Sequence, residues 1–389
     1  MNILFCNSSN VSELKGGTER ITARISCGLE KLGHKCFLAY KTEIDPSLPL
    51  TKFEKSINVN KSSLERFILD NCIDVVIIQK MTRDVKLFSE IRKRHNLKCK
   101  IISVLHFNPG YEEISATFKS FYSGLFSYTS LKEYAKDIVR TVSYPIYKLF
   151  YPFRNKELYR TVYEYSDKVV LLSKSFIQEY SKYCGVTDFS KFEVIPNALS
   201  FDEYLPIDDI QDKRKYVLIV SRLVETQKRI SMAIKIWAEI EKCQELNDWK
   251  LIIVGDGTDR VLYERMVHEM KLKSVEFYGR QNPKKMYKMS RVFLMTSVYE
   301  GWGLTLTEAQ QFGCVPIAFN SFSSIHDIID NGVNGFIVEN NNIQDYALKL
   351  TKLLENQLLC EKIAVQSIEL SKRYDLRSIT SQWNKLISE

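Results

Sequence analysis

Short β-rich apolar runs alternate with helical patterns along the whole of this chain, and they do so in two series. Ile3 to Cys6, Cys36 to Tyr40, Asp74 to Gln79, Lys100 to Leu105, Lys168 to Leu172 and Phe192 to Ile195 read as the strands of the first. Between the first two, Ile21, Ile25, Leu29 and Leu32 recur at helical spacing. Tyr216 to Val220, Trp249 to Val254, Val275 to Tyr278, Val292 to Met295, Val315 to Phe319 and Gly335 to Val338 read as the strands of the second. Strand–helix alternation of this kind predicts a parallel sheet with helices on both faces, because parallel neighbours need a crossover. Two series predict two doubly wound α/β domains. The stretch 201–214, FDEYLPIDDIQDKR, is polar with one proline and no apolar period, and reads as a linker. Ligands of such sheets bind at the carboxyl ends of the strands, so a cleft between two facing domains is the expected site.

Composition narrows the classes. At 389 residues, with 45% hydrophobic and 26% charged residues, the chain reads as a soluble globular protein with room for two cores. No apolar run reaches the roughly 18 residues of a transmembrane helix. The start, MNILFCNSS, lacks a basic n-region and reads as a first strand rather than a signal peptide. The nine cysteines include no C-x-x-C pair, and Cys6, Cys36 and Cys314 sit in apolar runs. Free buried thiols in a reducing cytoplasm fit that pattern better than disulfides or zinc. The net charge of +8 is uneven: residues 1–200 hold 30 basic and 21 acidic side chains, residues 201–389 hold 25 and 26. A basic first half points to an anionic partner: nucleic acid, membrane surface or acceptor.

Three features lie at strand ends of the first series. Gly16-Gly17-Thr18-Glu19-Arg20 opens the first helix, with glycines that let backbone approach a ligand and Thr18 as a cap. Its spacing is not that of a dinucleotide fingerprint. His106 ends the fourth strand, as a packed or a catalytic residue. Pro196-Asn197 forms a turn after the sixth. Between them, Phe118 to Tyr165 interleaves tyrosines and phenylalanines with Lys119, Lys132, Lys136, Arg140, Lys148, Arg154, Lys156 and Arg160. Such a segment suits a membrane interface, the stacking of single-stranded bases, or simply a core with a solvated basic face. No nucleic-acid motif accompanies it.

The second series carries the more specific chemistry. Ser221-Arg222-Leu223 follows its first strand, and Gln227-Lys228-Arg229 opens a helix, so that Arg222 and Lys228 can converge on one anion. Gly255-Asp256-Gly257-Thr258 reads as a tight turn and cap. Tyr278-Gly279-Arg280-Gln281 ends a strand where backbone groups can meet a base edge. SVYEGWGLTLTEAQQFG, Ser297 to Gly313, reads as strand end, glycine turn and helix, with Glu300 and Glu308 separated by seven residues. A helix start after a glycine turn offers N–H groups and a positive dipole end to a phosphate.

Taken in order, Gly16-Gly17, SRLVETQKR, VGDGTDR, FYGR, EGWGLTLTEAQQFGCVP and NGVNGFIV resemble the retaining GT-B glycosyltransferases of the large family 4. The resemblance covers nearly the whole chain and is strongest from Tyr216 to Val338. It implies two Rossmann-like domains facing across a cleft, an acceptor domain at 1–205 and a nucleotide-sugar domain at 206–373, with residues 374–389 as a helix crossing back to the first. It implies that Arg222 and Lys228 neutralise the donor diphosphate, so that the nucleotide diphosphate sugar is a co-substrate and no metal or other cofactor is needed. Glu308 would take the ribose hydroxyls. Glu300 and the backbone N–H groups of Gly301, Trp302 and Gly303 would hold the transferred sugar, and Leu304 and Thr305 would meet phosphate. Gly16 and Gly17 would close on the same diphosphate, His106 would stand by the reacting centre, and Arg280 would lie beside the nucleobase.

In that family the departing phosphate is thought to act as base for same-face attack, so Glu300 is not half of a glycosidase pair. The catalytic set is then His106, Arg222, Lys228 and Glu300. The implied acceptor is a saccharide or a lipid-linked one, in polysaccharide or glycolipid assembly at the cytoplasmic face, with the Phe118–Tyr165 segment against an anionic membrane and no nucleic acid bound. A sugar-nucleotide epimerase or a non-catalytic scaffold of the same fold are the rivals. Two departures stand out: Trp302 occupies a position where phenylalanine is common, and AFNSFSSIHDIID has serines where the family has glycine before a glutamate.

Overall fold

The computed structural model describes residues 1–80, 82–115, 138–139 and 142–389. They form two compact units, Met1–Pro196 with Thr380–Glu389, and Asn197–Ile379. The first holds seven strands: β1 (Asn2–Ser9), β2 (Lys35–Thr42), β3 (Ser56–Asn58), β4 (Val75–Ile78), β5 (Lys100–Leu105), β6 (Lys168–Leu171) and β7 (Phe192–Val194). Their order is β3-β2-β1-β4-β5-β6-β7, all parallel. Central strands such as β4, Val-Val-Ile-Ile, are buried at every residue, as a sheet covered on both faces requires. The edge strand β3 was not legible beforehand: three residues, Ser-Ile-Asn, are too short for any alternation to show.

The second unit holds six strands: β8 (Arg214–Val220), β9 (Lys250–Val254), β10 (Val275–Gly279), β11 (Ser290–Met295), β12 (Val315–Asn320) and β13 (Phe336–Glu339). Their order is β10-β9-β8-β11-β12-β13, again all parallel. Strand order reverses between β1 and β4 in one sheet and between β8 and β11 in the other. At such a reversal the crossovers leave in opposite directions and open a crevice at the carboxyl ends.

The stretch 201–214 is not a free linker. The first unit ends at Pro196, and residues 197–213 pack into the second. The Leu199 N–H donates to the Tyr374 carbonyl at 2.8 Å, and the Leu205 N–H to that of Gln311 at 3.3 Å. Lys213 is buried, its Nζ donating to the carbonyls of Tyr287 (2.8 Å), Lys288 (3.1 Å) and Ser290 (2.7 Å). These carbonyls end the helix Lys284–Met289, where a cation meets the negative end of the dipole. Burial pushes the Lys213 pKa down. A polar residue that serves as an internal cap looks in sequence like one that faces water.

Two further readings change. Gly16 is the cap position of the helix Gly17–Lys31, and Thr18 lies inside it. Of the basic aromatic segment, Phe118 to Asp137 and positions 140–141 lie outside the described residues. Most of the described part is the helix Tyr144–Tyr165, and it divides. Tyr159 is core, its ring edge-on to Tyr180 at 5.1 Å and to Tyr183 at 5.2 Å. Leu149, Phe150 and Phe153 are exposed by 62–70%. No helix among the described residues is long and apolar enough to cross a membrane.

Candidate active site

The turn after β8 carries Arg222, and the loop after β9 is packed onto it. The Leu223 N–H donates to the Asp256 carbonyl at 2.9 Å, and the Asp259 N–H to that of Leu223 at 3.0 Å. Only glycine permits this approach. A Cβ at Gly255, whose φ is +139°, would sit 1.8 Å from the Ser221 carbonyl oxygen, and one at Gly257 would sit 2.5 Å from that of Leu223. The Gly-Asp-Gly turn therefore positions the Arg222 loop.

Next come the helix Glu225–Lys228 and, after Arg229, the helix Ile230–Ile240. Arg229 takes φ +47°, a left-handed conformation costly for a side chain with Cβ. Its surroundings hold it there. Its guanidinium donates to the carbonyls of Thr296 (2.9 Å) and Ser297 (3.3 Å), and Thr296 Oγ1 lies 3.0 Å from the carbonyls of both Lys228 and Arg229. The Val298 N–H donates to the Gln227 carbonyl at 2.7 Å. The loops after β8 and β11 are thus joined across the switch point, and Lys228 Nζ pairs with the Glu300 carboxylate. Ser297 Oγ donates to the same carboxylate at 2.7 Å. Both partners are largely buried, with side chains 16% and 10% exposed. Arg222 is exposed and donates to Gln227 Oε1 at 3.1 Å. Burial and the Glu300 charge push the Tyr299 phenol up while Arg222 pulls it down, so both charges act on the same ring.

Gly301, Trp302 and Gly303 follow, then the helix Leu304–Gln311. Gly303 is its cap at φ +88°, a conformation glycine adopts freely. The Leu306 N–H donates to the Gly303 carbonyl at 2.8 Å, and the N–H groups of Leu304 and Thr305, which precede any intrahelical acceptor, make this helix start beside Glu300 suited to an anion. Trp302 is buried edge-on to Tyr374 at 5.2 Å, and its indole N–H has no hydrogen-bond partner among the described residues. Glu308 is placed differently from Glu300. It is 1% exposed, accepting from Ser200 Oγ at 2.5 Å and from the Tyr287 hydroxyl at 2.9 Å. Arg280 is exposed at the end of β10, the edge strand two places from β8.

Gly16, Gly17 and His106 belong to the first unit, around its own switch point. A cavity of about 260 Å³ opens there, among Ser8 from β1, Gln79 and Lys80 after β4, His106 after β5, Glu112 and Tyr159. His106 Nε2 lies against Gln79 Oε1. Burial and the nearby Lys80 charge bring the imidazole down to about 3, so it stands neutral at physiological pH. Lys80 Nζ pairs with Glu19 at 2.9 Å. Burial pushes the Glu19 carboxyl up, but the Lys80 hydrogen bond and charge bring it below its ordinary value. Gln79, Lys80 and Glu112 carried no motif in the sequence, and the signal available for the first two was their place at the end of a strand; Glu19, Arg229 and Ser297 lay inside motifs, and Tyr159 inside the basic aromatic segment, without a role of their own. Among the described residues no group of three or more His, Cys, Asp or Glu is arranged to hold a metal ion.

The two-sheet fold is that of the GT-B glycosyltransferases: it superposes on Anabaena HepE, solved in complex with UDP and glucose, with a TM-score of 0.72 at 16% identity, over 100% of this chain and 99% of that one. Residues 200–369 match the family described as glycosyl transferases group 1, and that stretch belongs to it. Among curated relatives, the chain is 26% identical over 233 residues to a Campylobacter jejuni N-acetylgalactosaminyltransferase acting on an undecaprenol-linked glycan, covering 60% of this chain and 63% of that protein. It is 30% identical over 229 residues to a Staphylococcus aureus poly(ribitol-phosphate) N-acetylglucosaminyltransferase, covering 55% and 46%. The matches span 34–66% of the length of the first curated relatives.

Proposed function

We propose that this chain is a retaining, metal-independent glycosyltransferase that moves a sugar from a UDP- or GDP-linked donor to a saccharide or lipid-linked acceptor in polysaccharide or glycolipid assembly. The observation that carries it is the Lys228–Glu300 pair with Arg222 on the adjoining turn and the helix start at Leu304, all at the β8/β11 switch point. Breaking a sugar–phosphate bond develops negative charge on the diphosphate. Fixed cations and a helix N-terminus stabilise that charge as it forms. Lys228 is held by Glu300, and an arriving diphosphate competes for the ammonium while Glu300 turns to the hydroxyls of the sugar. The departing phosphate then takes the acceptor proton, with His106, neutral, serving as hydrogen-bond partner near the reacting centre. Glu308 takes the ribose hydroxyls by exchanging a hydroxyl partner, Ser200 or Tyr287.

The first unit takes the acceptor. The exposed Leu149, Phe150 and Phe153, interleaved with Lys148 and Arg154, suit an anionic membrane surface that presents a lipid-linked acceptor. Vesicles of anionic and zwitterionic lipid test this: binding only to the former, and lost at high salt, supports it. The donor reading is tested with a panel of nucleotide sugars. One member should raise the melting temperature and be slowly hydrolysed without acceptor. Binding without hydrolysis favours the scaffold, and conversion of the sugar on the nucleotide favours the epimerase.

A further inference from the structure

We infer that Gln79 is a positioning residue for His106: by accepting the Nε2 proton of the imidazole it fixes one tautomer and leaves Nδ1 as a hydrogen-bond acceptor for a saccharide hydroxyl. That the ligand is a saccharide rests on the proposed glycosyltransferase reading; the tautomer does not.

Gln79 and His106 follow the neighbouring strands β4 and β5, which pair with Ile78 opposite Ser103, and both line the cavity of the first unit. Gln79 is buried, and its place is fixed from β1: its backbone N–H and that of Lys80 both donate to the Cys6 carbonyl, at 2.9 and 3.2 Å. Its side chain meets the imidazole through Oε1 at Nε2. An amide oxygen only accepts, so the single ring proton of a neutral imidazole lies on Nε2. No group among the described residues hydrogen-bonds to Nδ1, which keeps its lone pair for a ligand. With the amide turned round, the proton would sit on Nδ1 and the ring would offer a donor instead.

The surroundings favour this use of the ring. Burial and the Lys80 charge hold the imidazole neutral, against the opposing charge of Glu19. A glutamine at position 79 adds no charge of its own. A glutamate there would favour the imidazolium, which carries protons on both nitrogens and has no acceptor left. Val104, Leu105, Leu158 and Val162 line the same cavity, and a hydrogen bond made among apolar groups is stronger than one made in water. The chemistry needs a neutral acceptor. Breaking a sugar–phosphate bond develops positive charge on the anomeric carbon, which an imidazolium would oppose and a lone pair does not. Nδ1 takes no proton in this scheme, since the departing phosphate receives it. The ring orients a hydroxyl, and Gln79 decides which nitrogen faces it.

The test uses the full chain and two readouts. Nitrogen-15 spectra of the ligand-free protein, labelled at its five histidines, show which ring nitrogen carries the proton, and His106→Asn identifies the signal. The wild type should show a bare Nδ1 and an Nε2 proton protected from exchange. Gln79→Leu and Gln79→Met, each checked by its melting curve, should lose that protection. A proton on Nδ1 in the wild type, or equal protection in a folded Gln79 variant, overturns the inference. The second readout is turnover of the nucleotide sugar found by the panel, with neutral methyl glycosides as acceptors. The Gln79 variants should lose about tenfold in kcat/KM, the equivalent of one hydrogen bond. Whether the donor KM or the acceptor KM rises tells which saccharide carries the hydroxyl; kinetics within about twofold of wild type for both overturn the inference. A tautomer that depends on Gln79, with no turnover of any nucleotide sugar by the wild type, leaves the Gln79–His106 assignment standing and removes the glycosyltransferase reading instead.

Discussion

Buried titratable groups make His106 and Glu308 the most informative single residues. His106 is driven to about 3 by burial and by Lys80, whereas an unfolded histidine titrates near its ordinary 6.5. Below 6.5 the unfolded chain binds a proton that the folded chain does not, so the contribution of this residue to stability is complete above that pH and is lost as pH falls toward 3. Urea titrations from pH 7 to pH 4 should show wild type losing stability more steeply than His106→Asn; identical slopes would mean that the imidazole is not held neutral. Glu308 was legible as a functional candidate from its spacing to Glu300. Its partners were not, because Ser200 lies 108 positions away in chain order and Tyr287 lies 21 away. Since Glu308 anchors two hydroxyl groups inside the second unit, Glu308→Gln should cost about 1–3 kcal/mol of stability even without nucleotide. A residue that served the ribose alone would leave the ligand-free protein unchanged.

At the scale of elements, the parallel strands other than β3 could be read from apolar runs, because a strand covered on both faces is largely apolar. The loops that position the site could be read only as turns. Gly255 looked like turn chemistry, but its role is close approach to Ser221, with room for no Cβ. Gly255→Ala should therefore displace the Arg222 turn. Its effect on turnover should exceed that of an equally destabilising substitution at the remote Gly313, where a Cβ at φ +62° meets Ile368 at 3.1 Å. Equal effects on turnover at matched stability would detach the loop from the chemistry. The Lys228–Glu300 pair depends on two such elements at once, a left-handed Arg229 and the Thr296 hydroxyl that braces it, and neither is visible in a motif.

For the whole molecule, the resemblance placed a closing helix at 374–389, and the helix Leu376–Ser388 leaves the second unit at Ile379. Thr380 fits against Gly28, where a Cβ would lie 2.2 Å from its hydroxyl oxygen, and Trp383, Leu386 and Ile387 are at most 4% exposed. Lys100 Nζ donates to the Leu386 carbonyl at 3.0 Å, and His34 meets Asn384 at 2.7 Å. Removing residues 380–389 should destabilise the first unit by roughly 5 kcal/mol, given about 1.5–3 kcal/mol for each large buried side chain. Limited proteolysis should then cut within Met1–Pro196 before Asn197–Ile379; cleavage in the reverse order would contradict this packing. The proposed chemistry itself comes down to two cations. Turnover of the nucleotide sugar identified by the panel should be measured for wild type, Arg222→Ala and Lys228→Ala, with melting temperatures recorded beside each rate. Both variants should stay folded and lose turnover by on the order of 10²-fold or more, as expected when a charge that stabilises the leaving diphosphate is removed. Near-normal turnover in both would contradict the assignment of this site.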